Sequence, residues 1–267
     1  MSHETLLELA RETAHAAAEL IRDRRPEGRV DVAATKTSPT DAVTEVDTAA
    51  EKLIRDRIGA VRPDDGFVGE EGGRRSGTSG VDWVIDPIDG TVNFVYGVPA
   101  YAVSIGVEVE GVVRAGVVID VPLGREYTAL RGEGAWHRDR IDGPAVPMRL
   151  PAATDLTQAL VATGFGYDPA QRARQAAALA AMLPQVRDIR RIGSAALDLC
   201  SLAAGRYDAY VEEGLQPWDR AAGVLVAREA GAVVTGLRDD EPDERLVIAA
   251  SPALFDRFRT LVTECGF

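Results

Sequence analysis

Asp86-Pro87-Ile88-Asp89-Gly90-Thr91 is the stretch of this chain whose residue types and spacing point most directly to chemistry. Two other acidic segments accompany it, Gly69-Glu70-Glu71-Gly72 upstream and Trp218-Asp219 downstream. Each offers carboxylates at an expected turn or element end, where distant side chains can converge. Hard oxygen donors beside Gly and Thr suit Mg²⁺ and phosphate, not zinc or a redox metal. The implied chemistry is metal-dependent hydrolysis of a phosphate ester. Taken singly, each piece has a plainer reading. Asp86 and Asp89 fit an Asp-Pro turn in which both cap backbone groups. Glu70-Glu71 fits an exposed acidic loop, and Asp219, placed before a helix, fits an N-cap. The conjunction favours a site.

The elements that must position these residues are legible in part. Leu6, Leu7, Ala10, Ala14, Ala17, Leu20 and Ile21 recur at helical spacing over 3–24. A second helix is expected over about 42–59, with Val43, Val46, Ala50, Leu53 and Ile54 as its stripe. Asp47 projects from that apolar stripe, so it needs either a backbone N–H partner or a function. Val81 to Ile85 reads as a strand running into Asp86, where the chain is expected to turn. Strands at 101–109, 112–121, 126–130 and 135–138, joined by short turns, predict an antiparallel meander. Beyond it, helices at about 170–183, 194–204, 219–230 and from Ser251-Pro252 alternate with strands near 186–191, 207–211, 232–234 and 246–249. That alternation implies a mixed or parallel sheet. Gly143, Pro144, Pro147 and Pro151 mark a seam. An N-terminal α+β lobe (1–150) and a C-terminal α/β lobe (151–267), packed as alternating layers, are therefore expected.

Composition narrows the function classes. With 267 residues, 46% of them apolar, the chain can bury a large core. A formal charge of −12 argues against direct nucleic-acid or anionic-membrane binding, although bound cations can invert the local field for a small phosphorylated substrate. No apolar run approaches the ~18 residues needed to span a bilayer. Two cysteines, Cys200 and Cys265, and the lack of a signal-peptide core predict a cytoplasmic protein without a disulfide framework. Cys200 is expected as a packing residue. His3, His15 and His137 lie away from the acidic motifs, no Gly-x-Ser-x-Gly elbow is present, and the Asp86–Asp89 spacing misplaces an aspartyl nucleophile. Serine-, imidazole- and phosphoaspartate-based catalysis are therefore disfavoured.

Asp86-Pro87-Ile88-Asp89-Gly90-Thr91-Val92-Asn93-Phe94 resembles the signature of the inositol monophosphatase family. Trp218-Asp219-Arg220-Ala221-Ala222-Gly223, followed by Glu229-Ala230-Gly231-Ala232, resembles its second signature. Lys36 to Asp41 with Val43 to Asp47 is similar to its metal loop, and Arg191 to Ala196 with Glu212 to its polyol-binding residues. The resemblance implies a layered α-β-α-β-α sandwich, a homodimer, sensitivity to Li⁺, and two to three Mg²⁺ ions with Mn²⁺ able to substitute. It implies that Glu70, Asp86 and the Ile88 carbonyl hold one ion, that Asp86, Asp89 and Asp219 hold a second, and that Glu70 serves a weaker third. Thr91 and Asp47 would orient the attacking water, and Gly90 and Thr91 N–H groups would hold phosphate. Asp89, Ser194, Ala195 and Glu212 would line the polyol. Four carboxylates balance two Mg²⁺, and the monoester adds about −2, which gives the third ion a physical reason. The implied reaction is in-line displacement on inositol-1-phosphate by metal-activated water. Family alternatives are histidinol phosphate, fructose-1,6-bisphosphate and adenosine bisphosphate; a role as a partner of the transcription machinery is an alternative of another class.

Overall fold

The computed structural model describes residues 2–35, 42–238 and 241–267. The Lys36 to Asp41 segment of the expected metal loop lies outside them. In chain order the elements are α1 (His3–Arg24), β1 (Ala34–Thr35), β2 (Ala42–Val43), α2 (Glu45–Val61), β3 (Gly66–Gly69), β4 (Gly73–Arg75), β5 (Val81–Asp89) and α3 (Thr91–Tyr96). Then come β6 (Ala102–Val109), β7 (Val112–Asp120), β8 (Arg125–Leu130), β9 (Gly134–Arg138), β10 (Val146–Pro147) and β11 (Leu160–Thr163). The chain ends with α4 (Pro169–Met182), β12 (Asp188–Arg190), α5 (Ala195–Ala203), β13 (Ala209–Glu212), α6 (Pro217–Glu229), β14 (Val233–Thr235), β15 (Val247–Ala250) and α7 (Phe255–Cys265).

Five layers result. An eight-stranded sheet, ordered β10-β9-β8-β7-β6-β5-β3-β4, carries the expected antiparallel meander from β5 to β9. Helices α1 and α2 cover one of its faces, burying Ala14, Ile21, Ile54 and Ile58 against Trp83, Ile85 and Val117. Helices α5 and α6 cover the other face, where Leu197, Cys200, Leu225 and Val226 meet Val118 and Tyr127. The same two helices pack on a mixed five-stranded sheet, β12-β11-β13-β15-β14. Helices α4 and α7 close its outer face around Met182, Phe258 and Val262. This is the layered α-β-α-β-α sandwich. Backbones approach closely where α6 crosses the first sheet: a Cβ added at Gly106 would lie 2.8 Å from the Ala221 side chain. No described helix is long and apolar enough to cross a membrane.

The structure corrects several boundaries. Helix α2 begins at Glu45, because Thr44 caps it in a reciprocal box with Asp47 and Ala42-Val43 pair with β1 instead. The chain does not turn away at Asp86. It stays paired with β6 through Asp89, and a register shift between the two aspartates absorbs Pro87, which has no N–H for the ladder. Helix α6 starts at Pro217, so Asp219 is its third residue and not its cap. Helix α7 starts at Phe255, later than Ser251-Pro252. Strands β3, β4 and β11 were not expected. The Glu70-Glu71 loop is the tight connection between β3 and β4, a hairpin whose first strand runs parallel to β5.

Candidate active site

Three segments deliver carboxylates to one place. Asp86 and Asp89 sit at either end of the β5 irregularity, and Asp219 enters from the first turn of α6. Each can offer an oxygen within 4.8 Å of those of the other two. The irregularity is what allows this, since residues three apart on a regular strand face opposite sides. Asp86 is buried and fixed locally, with Oδ1 accepting the Ile88 N–H at 3.0 Å. Asp219 Oδ2 accepts the Gln216 N–H at 2.7 Å, so a cap-like bond and an inward-facing oxygen coexist. Asp89 is held by the start of α5: Ser194 Oγ donates to it at 2.5 Å, and the Ala196 and Ala195 N–H groups at 2.8 and 3.3 Å.

The electrostatics fit a cation site. Burial, then the charges of Glu70, Asp89 and Asp219, push the Asp86 carboxyl well above its ordinary range. Burial, then Asp89 and Glu70, do the same to Asp219. Asp89 rises less, because the α5 donors favour its charge against the burial. Closely spaced acids that raise one another's pKa are a hard-oxygen donor set for a divalent cation such as Mg²⁺.

Glu70 stands at the β3–β4 turn, and Glu51 of α2 holds that turn. Buried Glu51 accepts the Glu71 and Gly72 N–H groups at 2.7 and 2.9 Å and pairs with Arg55 at 2.6 Å. Asp47 is fully buried. Its Oδ2 accepts the Thr44 N–H at 2.9 Å, and its Oδ1 accepts the Thr91 hydroxyl at 3.3 Å. A backbone partner and a link to the site are thus both present. Thr91 Oγ1 also donates to the Ile88 carbonyl at 3.0 Å, so one hydrogen is shared between two acceptors. Gly90 lies at φ 96°, and a Cβ there would fall 2.9 Å from the Ala100 carbonyl and 3.0 Å from that of Gly193. Asn93 ties this loop to the second half of the chain, donating to the Ala100 and Ile192 carbonyls at 2.7 and 2.9 Å.

Glu212 closes the end of β13, where it accepts the Tyr210 hydroxyl at 2.7 Å. Burial pushes its pKa up to about 7 against the pull of Tyr210 and Arg191. Glu213 points elsewhere, into a bidentate pair with Arg174. Of the residues expected from sequence, Asp86, Asp89 and Asp219 meet directly. Glu70 reaches Asp86 through a side-chain hydrogen bond as well as its charge, and Glu212 acts on the cluster through its charge. Ser194 and the Ala195 N–H serve Asp89. A recess of about 400 Å³, lined in part by Arg131, Arg220 and Arg228, opens on the side of α6 away from the acids and includes none of them.

Sequence reading missed Glu51 and named Asn93 only within the signature; both act on backbone groups of distant loops. For Thr44 a signal existed, the Thr44-x-x-Asp47 spacing of a capping box.

Comparison with known proteins agrees with this architecture. The model of the inositol monophosphatase family matches residues 2–265. An inositol-1-monophosphatase of Mycobacterium leprae is 53% identical over 228 residues, 83% of this chain and 78% of that one. A Nus factor SuhB of Vibrio cholerae is 42% identical over 222 residues, 82% of this chain and 81% of the other. The solved structure of Mycobacterium tuberculosis SuhB superposes with a TM-score of 0.84 at 45% identity, covering 98% of this chain and 97% of that one. The chain therefore belongs to the inositol monophosphatase family and is a phosphoric monoester hydrolase.

Proposed function

We propose that this protein is a Mg²⁺-dependent phosphatase that releases inorganic phosphate from inositol-1-phosphate. The observation carrying this reading is the convergence of Asp86, Asp89 and Asp219 from β5 and α6. Glu70, Asp86 and the Ile88 carbonyl would hold one ion, Asp86, Asp89 and Asp219 a second, and Glu70 a weaker third. Bound Mg²⁺, or Mn²⁺ in its place, would supply charge neutralisation for the phosphoryl oxygens and acidify water. The residues of the chain do the positioning. Because the Thr91 hydrogen is committed to Asp47 and the Ile88 carbonyl, the Thr91 oxygen keeps lone pairs to accept a hydrogen from the attacking water. Asp47 sits behind it to take up developing positive charge. Gly90 and Thr91 N–H groups face the phosphate, while Asp89, Ser194, Ala195 and Glu212 border the polyol. Displacement is in line, without a phosphoenzyme.

Two free cysteines support a cytoplasmic protein, and family resemblance supports a homodimer inhibited by Li⁺. The test is phosphate release from inositol-1-phosphate, histidinol phosphate, fructose-1,6-bisphosphate and adenosine bisphosphate, side by side with Mg²⁺. Fastest turnover of inositol-1-phosphate is expected; a preference for one of the others reassigns the substrate. The name Nus factor SuhB borne by a relative favours a second reading, a partnership with the transcription machinery. Pull-down of RNA polymerase, undiminished by Asp89→Asn, tests it independently of catalysis.

A further inference from the structure

The recess on the side of α6 away from the acids holds polar groups that the fold leaves partly unused. Arg220, Val224 and Arg228 recur every four residues, so one stripe of the helix forms its wall. Glu108 of β6 and Val112 and Val113 of β7 line it as well, and Arg131 enters from the β8–β9 turn. Glu229 pins that turn to the end of α6, accepting the Gly132 and Gly134 N–H groups at 2.9 Å each. At about 400 Å³ the space lies within the range of small-molecule sites, ~300–1,000 Å³.

Carbonyls anchor all three guanidiniums. Arg131 Nε donates to the Val113 carbonyl at 2.7 Å, and Arg228 Nη2 to that of Val234 at 2.8 Å. Arg220 Nε and Nη1 donate to those of Pro242 and Leu215 at 3.1 and 3.0 Å. Arg228 also pairs with Glu241 at 2.8 Å. A guanidinium has more donors than these bonds use. Both Nη atoms of Arg131 and the Nη2 of Arg220 have no hydrogen-bond partner among the described residues. Arg131 is open to solvent, so a ligand can reach it. Arg220 is half-buried, where a spare donor is costly to leave idle. Glu108 presents the opposite need: it is a half-buried carboxylate with no hydrogen bond among the described residues, its pKa raised by burial and then by Asp82.

We propose that this recess binds a small aromatic monocarboxylate that carries a hydroxyl. Charge decides among anions. Three guanidiniums against Glu108 and Glu241 leave one net positive charge, which a carboxylate balances and a phosphate dianion overshoots. The carboxylate lies on the two free Nη atoms of Arg131, a paired geometry that guanidinium favours. A flat ring covers Val112, Val113 and Val224 and suits the guanidinium faces beside them. The hydroxyl accepts from Arg220 Nη2 and donates to Glu108, as a phenol can do at once. Glu70, Asp86, Asp89 and Asp219 do not line the recess, so the assignment stands whether or not those acids hold a metal.

The test titrates 4-hydroxyphenylacetate into the ¹⁵N-labelled full chain, with Mg²⁺ present, and follows amide chemical shifts. A Kd of about 1 mM is expected, ordinary for a ligand of this size, with shifts centred on β7, the β8–β9 turn and α6. Tyramine keeps the phenol and replaces the carboxylate by a cation, so it should bind about tenfold more weakly or worse. Phenylacetate, which lacks the hydroxyl, should lose roughly fivefold. Arg131→Met should weaken binding of 4-hydroxyphenylacetate about tenfold. No saturable shift at about ten times the expected Kd overturns the inference. So do shifts centred on Asp86, Asp89 and Asp219, tyramine or phenylacetate binding as tightly as the hydroxy acid, or unchanged affinity in Arg131→Met. Should that variant fail to fold, the comparison with tyramine on the wild-type protein decides alone. None of these outcomes bears on the hydrolase reading, which phosphate release tests separately.

Discussion

Mg²⁺ binding to this protein should release protons and stabilise it more as pH rises. Asp86, Asp89 and Asp219 bring oxygens within 4.8 Å of one another. At an effective dielectric of about 20, two unit charges so placed repel by about 3 kcal/mol, and three such pairs by about 10 kcal/mol. That rivals the whole stability of a typical domain, about 5–15 kcal/mol. The metal-free protein therefore keeps protons on the cluster, in line with the raised pKa values of Asp86 and Asp219. A carboxyl whose folded pKa exceeds its unfolded value favours the fold at low pH, and that contribution is lost as pH rises through the folded value. Bound Mg²⁺ reverses the slope, because it takes the ionised carboxylates. At about 100 times its Kd the ion should add about 2.7 kcal/mol. For a chain of this size that raises Tm by about 5–10 °C. The gain should be larger at pH 8 than at pH 5.5. Calorimetric titration in two buffers of different ionisation enthalpy should reveal the released protons. An unchanged Tm at pH 8 with and without chelator would refute the reasoning, as would a gain that is larger at pH 5.5.

Asp89→Asn should lower kcat about 100-fold or more at saturating Mg²⁺. Its circular dichroism should match wild type, since the amide oxygen can still accept the Ala196 N–H. Glu51→Ala should strip the β3–β4 turn of its two N–H acceptors and strand Arg55. A loss of about 3–5 kcal/mol in urea unfolding is expected, together with a higher Mg²⁺ concentration for half-maximal rate. Buried Glu126, ringed by Arg11, His15 and Arg138, has its pKa lowered from 4.5 to about 2. Its contribution is complete above about pH 4.5 and fades as pH falls toward 2. Unfolding midpoints between pH 5 and 3 should fall steeply for wild type and less so for Glu126→Gln.

Much of this fold was readable where local signals were strong. Helix α1 carries seven buried positions at helical spacing, and the meander announces each turn with glycine or proline. Strands β3 and β4 gave no such pattern: four residues bounded by glycines, then Gly73-Arg74-Arg75 with every side chain exposed. They exist because β5 templates β3 along its edge, a nonlocal cause. The acids of the site could be named from their types, but their meeting depends on an irregularity in β5 that Pro87 only hints at. Asp219 was expected just ahead of α6, but Pro217 begins the helix and puts the acid in its first turn. Glu51 was unreadable because what it faces is set by tertiary packing, and nothing near it in the chain marks it.

Helix α6 lies between the two sheets and brings Asp219 to acids from a strand more than a hundred residues earlier. On the proposed ligand set, a ribosome that has finished the entire first sheet has still made nothing able to cleave an ester. Catalytic competence arrives late and at once, when the sixth helix slides into its slot. On the same ligand set, loss of turnover in a denaturant series should report the withdrawal of α6 from β5.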